Sequence, residues 1–207
     1  MKANKIQAGL KRVFDIVFSL VALVAFLIPI AAISLLLLVM QGRPVFFRQR
    51  RPGLNETPFE LVKFRTMNPP DETRRVASTT DADAGRLTGI GKWLRATSLD
   101  ELPTLWNVLK GEMSIVGPRP LLMQYLPLYD NVQRRRHLMR PGVTGLAQVN
   151  GRNGLSWEKK FEYDVQYVDN WSLLSDWKIL CRTFYKVIAR DGINTPGNAT
   201  SPPFRRP

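Results

Sequence analysis

Between Phe14 and Met40 the chain carries a single charge, Asp15, and apart from Ser19, Pro29 and Ser34 every other position is apolar. The run is too long for the core of a signal peptide, and no small-residue cleavage site follows it. As one helix it would measure about 40 Å, enough to cross a bilayer with tilt. Pro29 stands near its middle, where it removes a backbone hydrogen bond and crowds the preceding turn. Lys11 and Arg12 precede the segment, and Arg43, Arg48, Arg50 and Arg51 follow it. Basic flanks favour the cytoplasmic side, and here both ends carry them. A spanning helix would place one basic flank on the wrong side. A helix broken at Pro29 that enters one leaflet and returns satisfies both. Each arm would be about 20 Å long, short of the roughly 30 Å hydrocarbon core. The re-entrant arrangement is therefore the expectation.

After Gly42 the pattern shortens. Val45–Arg48 and Phe59–Phe64 are two β-type runs around a Pro-Gly-Leu-Asn turn, which predicts an antiparallel hairpin. Residues 68 to 89 are polar and rich in turn formers, so a loop is expected there. Asp81 and Asp83 within it read as solvated rather than metal-binding. Residues 121 to 139 read as helical, closing on the basic run Arg134, Arg135, Arg136 and His137, with His137 expected at the surface. A further amphipathic helix is expected from Ser175 to about Arg190. At about 100° per residue, Trp177, Leu180, Cys181, Phe184 and Ile188 share one arc, while Lys178, Arg182, Lys186 and Arg190 recur on another side. That arc fits either a core-packed face or one lying on an anionic membrane. Cys181 reads as a small core residue. The tail from Gly192 is expected to be disordered. No internal repeat is evident.

Charge narrows the partners. Thirty basic residues against seventeen acidic ones give a net charge of +13 over 207 residues. Such an excess calls for an anionic partner: nucleic acid, an acidic membrane face or a phosphorylated substrate. The aromatics are scattered and no nucleic-acid-binding module is recognisable, so nucleic acid is not the expected partner. One cysteine excludes an internal disulfide and fits a reducing compartment.

The candidate chemistry lies in "TSLDELPTLWNVLKGEMSIVGPRP", from Thr97 to Pro120. Asp100 and Glu101 open a helix that begins within Leu99–Leu102 and stops at Gly111. One reading is a helix cap, since Ser98 and Glu101 match S-x-x-E and acids favour a first turn. Pro103 strains that reading, because with Ser98 as cap it would fall beyond the first turn. The other reading is a phosphate-handling site. Arg95 is close in sequence, and Arg119 is fenced by Pro118 and Pro120, a rigid base for a guanidinium that can bind phosphate through two parallel hydrogen bonds. Nearby cations keep an attacking carboxylate ionised. Mg²⁺ suits the hard oxygens such a site assembles. Beyond it, Arg140 and Arg152 bracket a glycine-rich stretch that would let backbone approach a ligand, although neither a P-loop nor a dinucleotide fingerprint is present.

"KRVFD", "KFRTM", "SLDELPTLWNVLKGEMSIVGPRP" and "RPGVTGLAQVNGRN", in this order, resemble the bacterial sugar transferase family, the monotopic polyprenyl-phosphate phosphoglycosyl transferases. The similarity covers roughly residues 11 to 190, and the chain looks like the small form of the family. The resemblance implies an α+β, mostly helical fold. Its parts would be a re-entrant helix-break-helix over 1–42, a cytoplasmic catalytic domain over 43–191 with a small β-hairpin and interfacial amphipathic helices, and a tail over 192–207. It implies that Asp100 attacks the β-phosphate of a UDP-sugar, with Glu101 as its partner. UMP is expelled, and undecaprenyl phosphate then takes the phosphosugar from Asp100. It implies Mg²⁺ placed by Asp100, phosphate contacts from Arg95 and Arg119, and a nucleotide side formed by Arg140, Gly145, Gln148 and Arg152. It implies a break at Pro29, although Ile28 stands where small members carry serine. The implied location is the cytoplasmic face of the bacterial inner membrane, among its lipids. Within the family, "RPGLNE" through "SWEKKFEYDV" looks most like transferases for N,N′-diacetylbacillosamine phosphate, so an N-acetylated UDP-hexose is the expected donor.

Overall fold

The computed structural model describes residues 5–68, 85–151, 154–189 and 203–204. Two helices open the chain, α1 (Lys5–Ala25) and α2 (Leu27–Gln41), bent by 61° where they meet. The break falls at Phe26 rather than at Pro29, which sits in the first turn of α2. That is where proline is tolerated: its missing N–H would have bonded Ala25 in an unbroken helix, so the continuous ladder fails just before it. No single helix among the described residues is long and apolar enough to cross a membrane, and only this bent pair combines the length and composition.

The pair is apolar outward, and its first arm is polar inward. Val13, Val17, Leu20, Val21, Val24, Ile28 and Val39 are exposed, whereas Lys11, Asp15 and Ser19, spaced by four, are buried. Lys11 is therefore no free flanking charge. Its Nζ donates to Asp176 Oδ2 at 2.6 Å and to the Val116 carbonyl at 2.9 Å. Asp15 accepts from the Ile115 N–H at 2.9 Å and from Ser114 Oγ at 3.1 Å. Arg12 donates to the carbonyls of Val108 and Leu109, at the end of a helix described below. On the second arm, Ile33 and Leu37 pack with Phe64 and Leu94. Both arms are thus rooted in the rest of the fold.

The expected hairpin is present and longer on its first strand: β1 (Phe46–Pro52) pairs antiparallel with β2 (Pro58–Phe64), from Phe46 opposite Phe64 to Pro52 opposite Pro58. Its open edge is covered by a buried side chain. Asn107 accepts from the Val62 N–H at 3.1 Å and donates to the Glu60 carbonyl at 2.7 Å, so the edge strand's polar groups are satisfied. Asn107 belongs to α4 (Thr104–Lys110), which follows α3 (Gly89–Ala96) and a 3-10 turn over Leu99–Glu101. Gly111 ends α4 at φ +87°, the stop expected from the sequence. Asp81 and Asp83 lie outside the described residues.

A second, parallel sheet joins β3 (Ser114–Val116) to β4 (Gly142–Thr144). The glycines here serve backbone against backbone. A Cβ on Gly142 would stand 2.1 Å from the Gly117 nitrogen, and one on Gly145 2.1 Å from the Gly117 carbonyl oxygen. The main core surrounds this sheet, with Val108, Met113, Ile115, Val116 and Val168 at its centre.

Four expectations are corrected. Residues 121 to 139 form two 3-10 turns, Met123–Leu128 and Gln133–Leu138, instead of a helix. Pro120 and Pro127 deny the α-helical ladder, and Asp130 Oδ1 takes the N–H groups of Val132 and Gln133 at 2.8 and 2.7 Å, turning the chain between them. His137 and Arg136 are buried, not at the surface. In α7 (Leu173–Ala189), which follows the short α5 (Leu146–Val149) and α6 (Trp157–Asp169), the inward residues are Asp176, Ile179 and Leu180. Cys181 is exposed, along with Leu174, Trp177, Phe184 and Tyr185. Finally, the tail is not wholly apart from the fold: Phe204 is buried among Tyr125, Tyr129 and Phe161.

Candidate active site

The dyad sits on the 3-10 turn between α3 and α4. Ser98 enters that turn in the left-handed region, at φ +58°, and its side chain caps nothing. The capping box is not formed, which removes the helix-cap reading of Glu101. Leu99 and Leu102, on either side of the acids, pack into the cluster of Ile33, Leu37, Phe64 and Leu94. Apolar anchors thus leave the two carboxylates facing the other way.

What they face is cationic. Glu101 Oε1 accepts from Lys63 Nζ at 2.5 Å and from an Arg119 guanidinium nitrogen at 3.0 Å. Burial would raise Glu101, but Lys63 and Arg119 overcome it and hold the acid down to about 2. Asp100 goes the other way. Burial first, and then the neighbouring charge of Glu101, push it up to about 6, against the pull of Lys63, Arg95 and Arg119. Two adjacent carboxylates have been given different environments: one permanently ionised within two ion pairs, the other poised near neutrality. Arg95, in the last turn of α3, donates its Nε to Thr66 Oγ1 at 3.1 Å.

Arg119 is held by more than its flanking prolines. Three successive carbonyls of its loop each accept a hydrogen bond: Pro118 from the Gly142 N–H at 2.9 Å, Arg119 from Arg136 at 2.7 Å, and Pro120 from Arg51 at 3.3 Å. Beside Glu101 a pocket of about 80 Å³ opens, lined by Arg51, Lys63, Glu101, Thr104 and Arg119 among others. Crowding shows in Arg51, whose guanidinium is lowered to about 10 by burial and by Arg119. Such an arrangement can neutralise phosphate oxygens next to an acid able to act as nucleophile.

The structure brings together Asp100, Glu101, Arg95 and Arg119. The glycine-rich stretch reaches the pocket with Gly142 and Val143, while the residues predicted on its far side take other places. Arg140 donates its Nε to the Gly111 carbonyl at 2.8 Å, closing the end of α4. Gly145 packs on Gly117. Gln148 is buried, and its amide has no hydrogen-bond partner among the described residues. Arg152 lies outside the described residues. Arg140, Gly145 and Gln148 do not line the pocket, and neither do Asp100 and Arg95, which stand beside it through Glu101. Lys63 and Arg51 were missed as site residues. Lys63 carried a signal: counting by two from Phe59 and Leu61, which are buried on β2, places a lysine on the inward face. Arg51 carried none, since it reads as one more basic flank.

For a metal, no group of three or more His, Cys, Asp or Glu stands together among the described residues. Asp100 offers hard oxygen in a setting where burial disfavours its charge. That fits Mg²⁺, which is commonly held by one or two carboxylates completed by water and substrate phosphates.

Comparison with known proteins identifies the family. Residues 6–190 match the bacterial sugar transferase family. An uncharacterized sugar transferase, EpsL, from Bacillus subtilis is 51% identical over 199 residues, covering 94% of this chain and 95% of its own length. The exopolysaccharide production protein ExoY of Rhizobium meliloti is 39% identical, over 88% of this chain and 87% of its own. A UDP-glucose:undecaprenyl-phosphate glucose-1-phosphate transferase of Klebsiella pneumoniae is 39% identical over 88% of this chain, which spans only 41% of that relative's length.

Proposed function

The chain belongs to the bacterial sugar transferase family, and from that premise we propose that it moves a sugar 1-phosphate from a UDP-sugar to undecaprenyl phosphate, releasing UMP. The observation that carries this reading is the poised carboxylate: Asp100 near pH 6 beside an ionised Glu101, with Lys63, Arg95 and Arg119 around the pair.

In the first step a carboxylate oxygen of Asp100 attacks the β-phosphorus. A P–O bond forms to Asp100, the bond to the oxygen bridging α- and β-phosphorus breaks, and UMP leaves with that electron pair. In the second step an oxygen of the lipid phosphate attacks the same phosphorus, and the Asp100 carboxylate departs. Arg119 and Arg95 neutralise phosphate oxygens, and Lys63 keeps Glu101 charged and in place. Asp100 is the residue that would hold Mg²⁺ together with substrate phosphates, and the ion would supply further neutralisation of the diphosphate.

The lipid acceptor gives the exposed apolar surface a purpose. The bent helix pair enters one leaflet from the cytoplasmic face of the bacterial inner membrane and returns, as a monotopic anchor. The exposed Leu174, Trp177, Phe184 and Tyr185 of α7 lie beside Lys178, Arg182 and Lys186, a combination that rests on an anionic membrane surface. The site is thereby kept at headgroup depth.

The donor is a UDP-hexose. Its resemblance to N,N′-diacetylbacillosamine phosphate transferases puts an N-acetylated sugar first, and the names of relatives acting on UDP-glucose and UDP-galactose set those two beside it. The test is to incubate the purified chain with undecaprenyl phosphate, Mg²⁺ and a panel of these donors while following UMP. One donor should release UMP. Without the lipid, mass spectrometry should find a phosphosugar ester on Asp100, and an ester on another residue, or none, refutes the mechanism.

A further inference from the structure

One side chain of the C-terminal tail is seated deep in the fold. Phe204 is 6% exposed. Four aromatic rings surround it, with centroids at 4.9 Å for Phe161, 5.4 Å for Trp157, 5.7 Å for Tyr125 and 6.0 Å for Tyr129. Its own N–H donates to the Tyr125 hydroxyl at 3.3 Å.

Two of those rings have a second neighbour. The guanidinium of Arg136 lies 5.8 Å from the centroids of both Tyr129 and Phe161. Arg136 is 2% exposed and paired with Asp164, its two nitrogens donating to Oδ2 at 2.6 and 3.1 Å. The same guanidinium donates to the Arg119 carbonyl at 2.7 Å. Arg119 in turn reaches Glu101 at 3.0 Å. A continuous set of contacts therefore joins the tail to the dyad.

We propose that Phe204 is a positioning residue for Arg119, and that it acts through Arg136. The proposal rests on the reading of Arg119 as a phosphate ligand. Its physical basis is water exclusion. A guanidinium paired with carboxylate inside the fold binds strongly only while its surroundings stay dry, and cation–π contacts strengthen on desolvation. Phe204 packs against Tyr129 and Phe161, the two rings that also face Arg136. Removing it leaves a phenyl-sized opening against Tyr129 and Phe161. Water admitted there competes for Arg136, which then holds the Arg119 carbonyl less tightly. The arginine loop loses one of its three carbonyl clamps, and the order it supplies must come from substrate binding instead.

The experiment compares the full chain with Phe204→Ala and Phe204→Tyr. Hydrogen exchange is followed at the Gly117 and Gly142 amides, which bond the Thr144 and Pro118 carbonyls, and UMP release is followed as a function of UDP-sugar concentration. Phe204→Ala should exchange at least fivefold faster at those amides while the β1–β2 amides stay unchanged. Its kcat/KM should fall about tenfold, mostly through KM, and Phe204→Tyr should restore both readouts to within twofold. Unchanged exchange at the loop overturns the proposal, as does acceleration spread equally over the whole chain. Faster loop exchange with kcat/KM within twofold of the parent overturns it as well. If the parent chain releases no UMP from any donor, the functional reading is what fails, and the exchange measurement decides the contact between Phe204 and the loop by itself.

Discussion

Asp100→Asn separates the catalytic reading of the dyad from a structural one, because the two demand opposite signs. The carboxyl is displaced from 3.8 to about 6, first by burial and then by Glu101. An acid raised in the folded state binds its proton more tightly there than in the unfolded chain. Its contribution to stability is present below 3.8 and is lost as pH rises through about 6. At pH 8 the ionised side chain costs about 3 kcal/mol, since each pH unit of displacement corresponds to about 1.4 kcal/mol. Asparagine keeps the size and removes the charge. It should recover a large part of that cost, which for a chain of this length is a rise in Tm of about 4–8 °C. The measurement is thermal unfolding of both proteins in the same detergent at pH 8 and at pH 4. The variant should be more stable at pH 8, nearly level with the parent at pH 4, and inactive in UMP release. An acid that served only the helix dipole would behave in reverse, with Asp100→Asn losing about 0.3–1 kcal/mol. A Tm lowered at pH 8, or a gain that does not shrink on acidification, would refute the account of a strained nucleophile.

Other consequences can be checked directly. The kcat/KM for UDP-sugar should fall as pH drops through about 6, because a protonated Asp100 cannot attack phosphorus; a profile flat down to pH 5 would exclude this ionisation. Arg119→Lys should lower kcat/KM at least tenfold, since a point charge cannot supply two parallel hydrogen bonds to phosphate, and steady-state kinetics will show whether it does. Lys11→Met should destabilise the fold by about 3–5 kcal/mol, the effect of stranding Asp176 in the interior without its partner, read as a loss of Tm or of folded yield. Single cysteines placed before Gly9 and after Arg43 should both be labelled from the cytoplasmic side. Labelling of the two cysteines from opposite sides would refute the re-entrant arrangement.

The readable parts of this protein were those whose cause is local. A run of apolar residues from Phe14 to Met40 announces helix with an apolar outer face, and a proline within it announces a break, because backbone geometry acts on a segment without reference to distant partners. The hairpin, the stop at Gly111 and the adjacency of Asp100 and Glu101 are of the same kind. Charges were misjudged wherever their partners come from far along the chain. Lys11 looks like a topology signal until Asp176 closes on it, and Arg136 and His137 look like a solvated basic run until the rings of α6 and the tail bury them. Lys63 and Arg51 line the pocket with Glu101 and Arg119, and Arg140 bonds the end of α4, for the same reason. Sequence by itself determined which residue types were available to meet an anion and where the long apolar segment lies. Only the tertiary structure decided which arginines face the acids and why the two acids differ, because burial and Coulomb energy depend on distances that close between residues tens of positions apart.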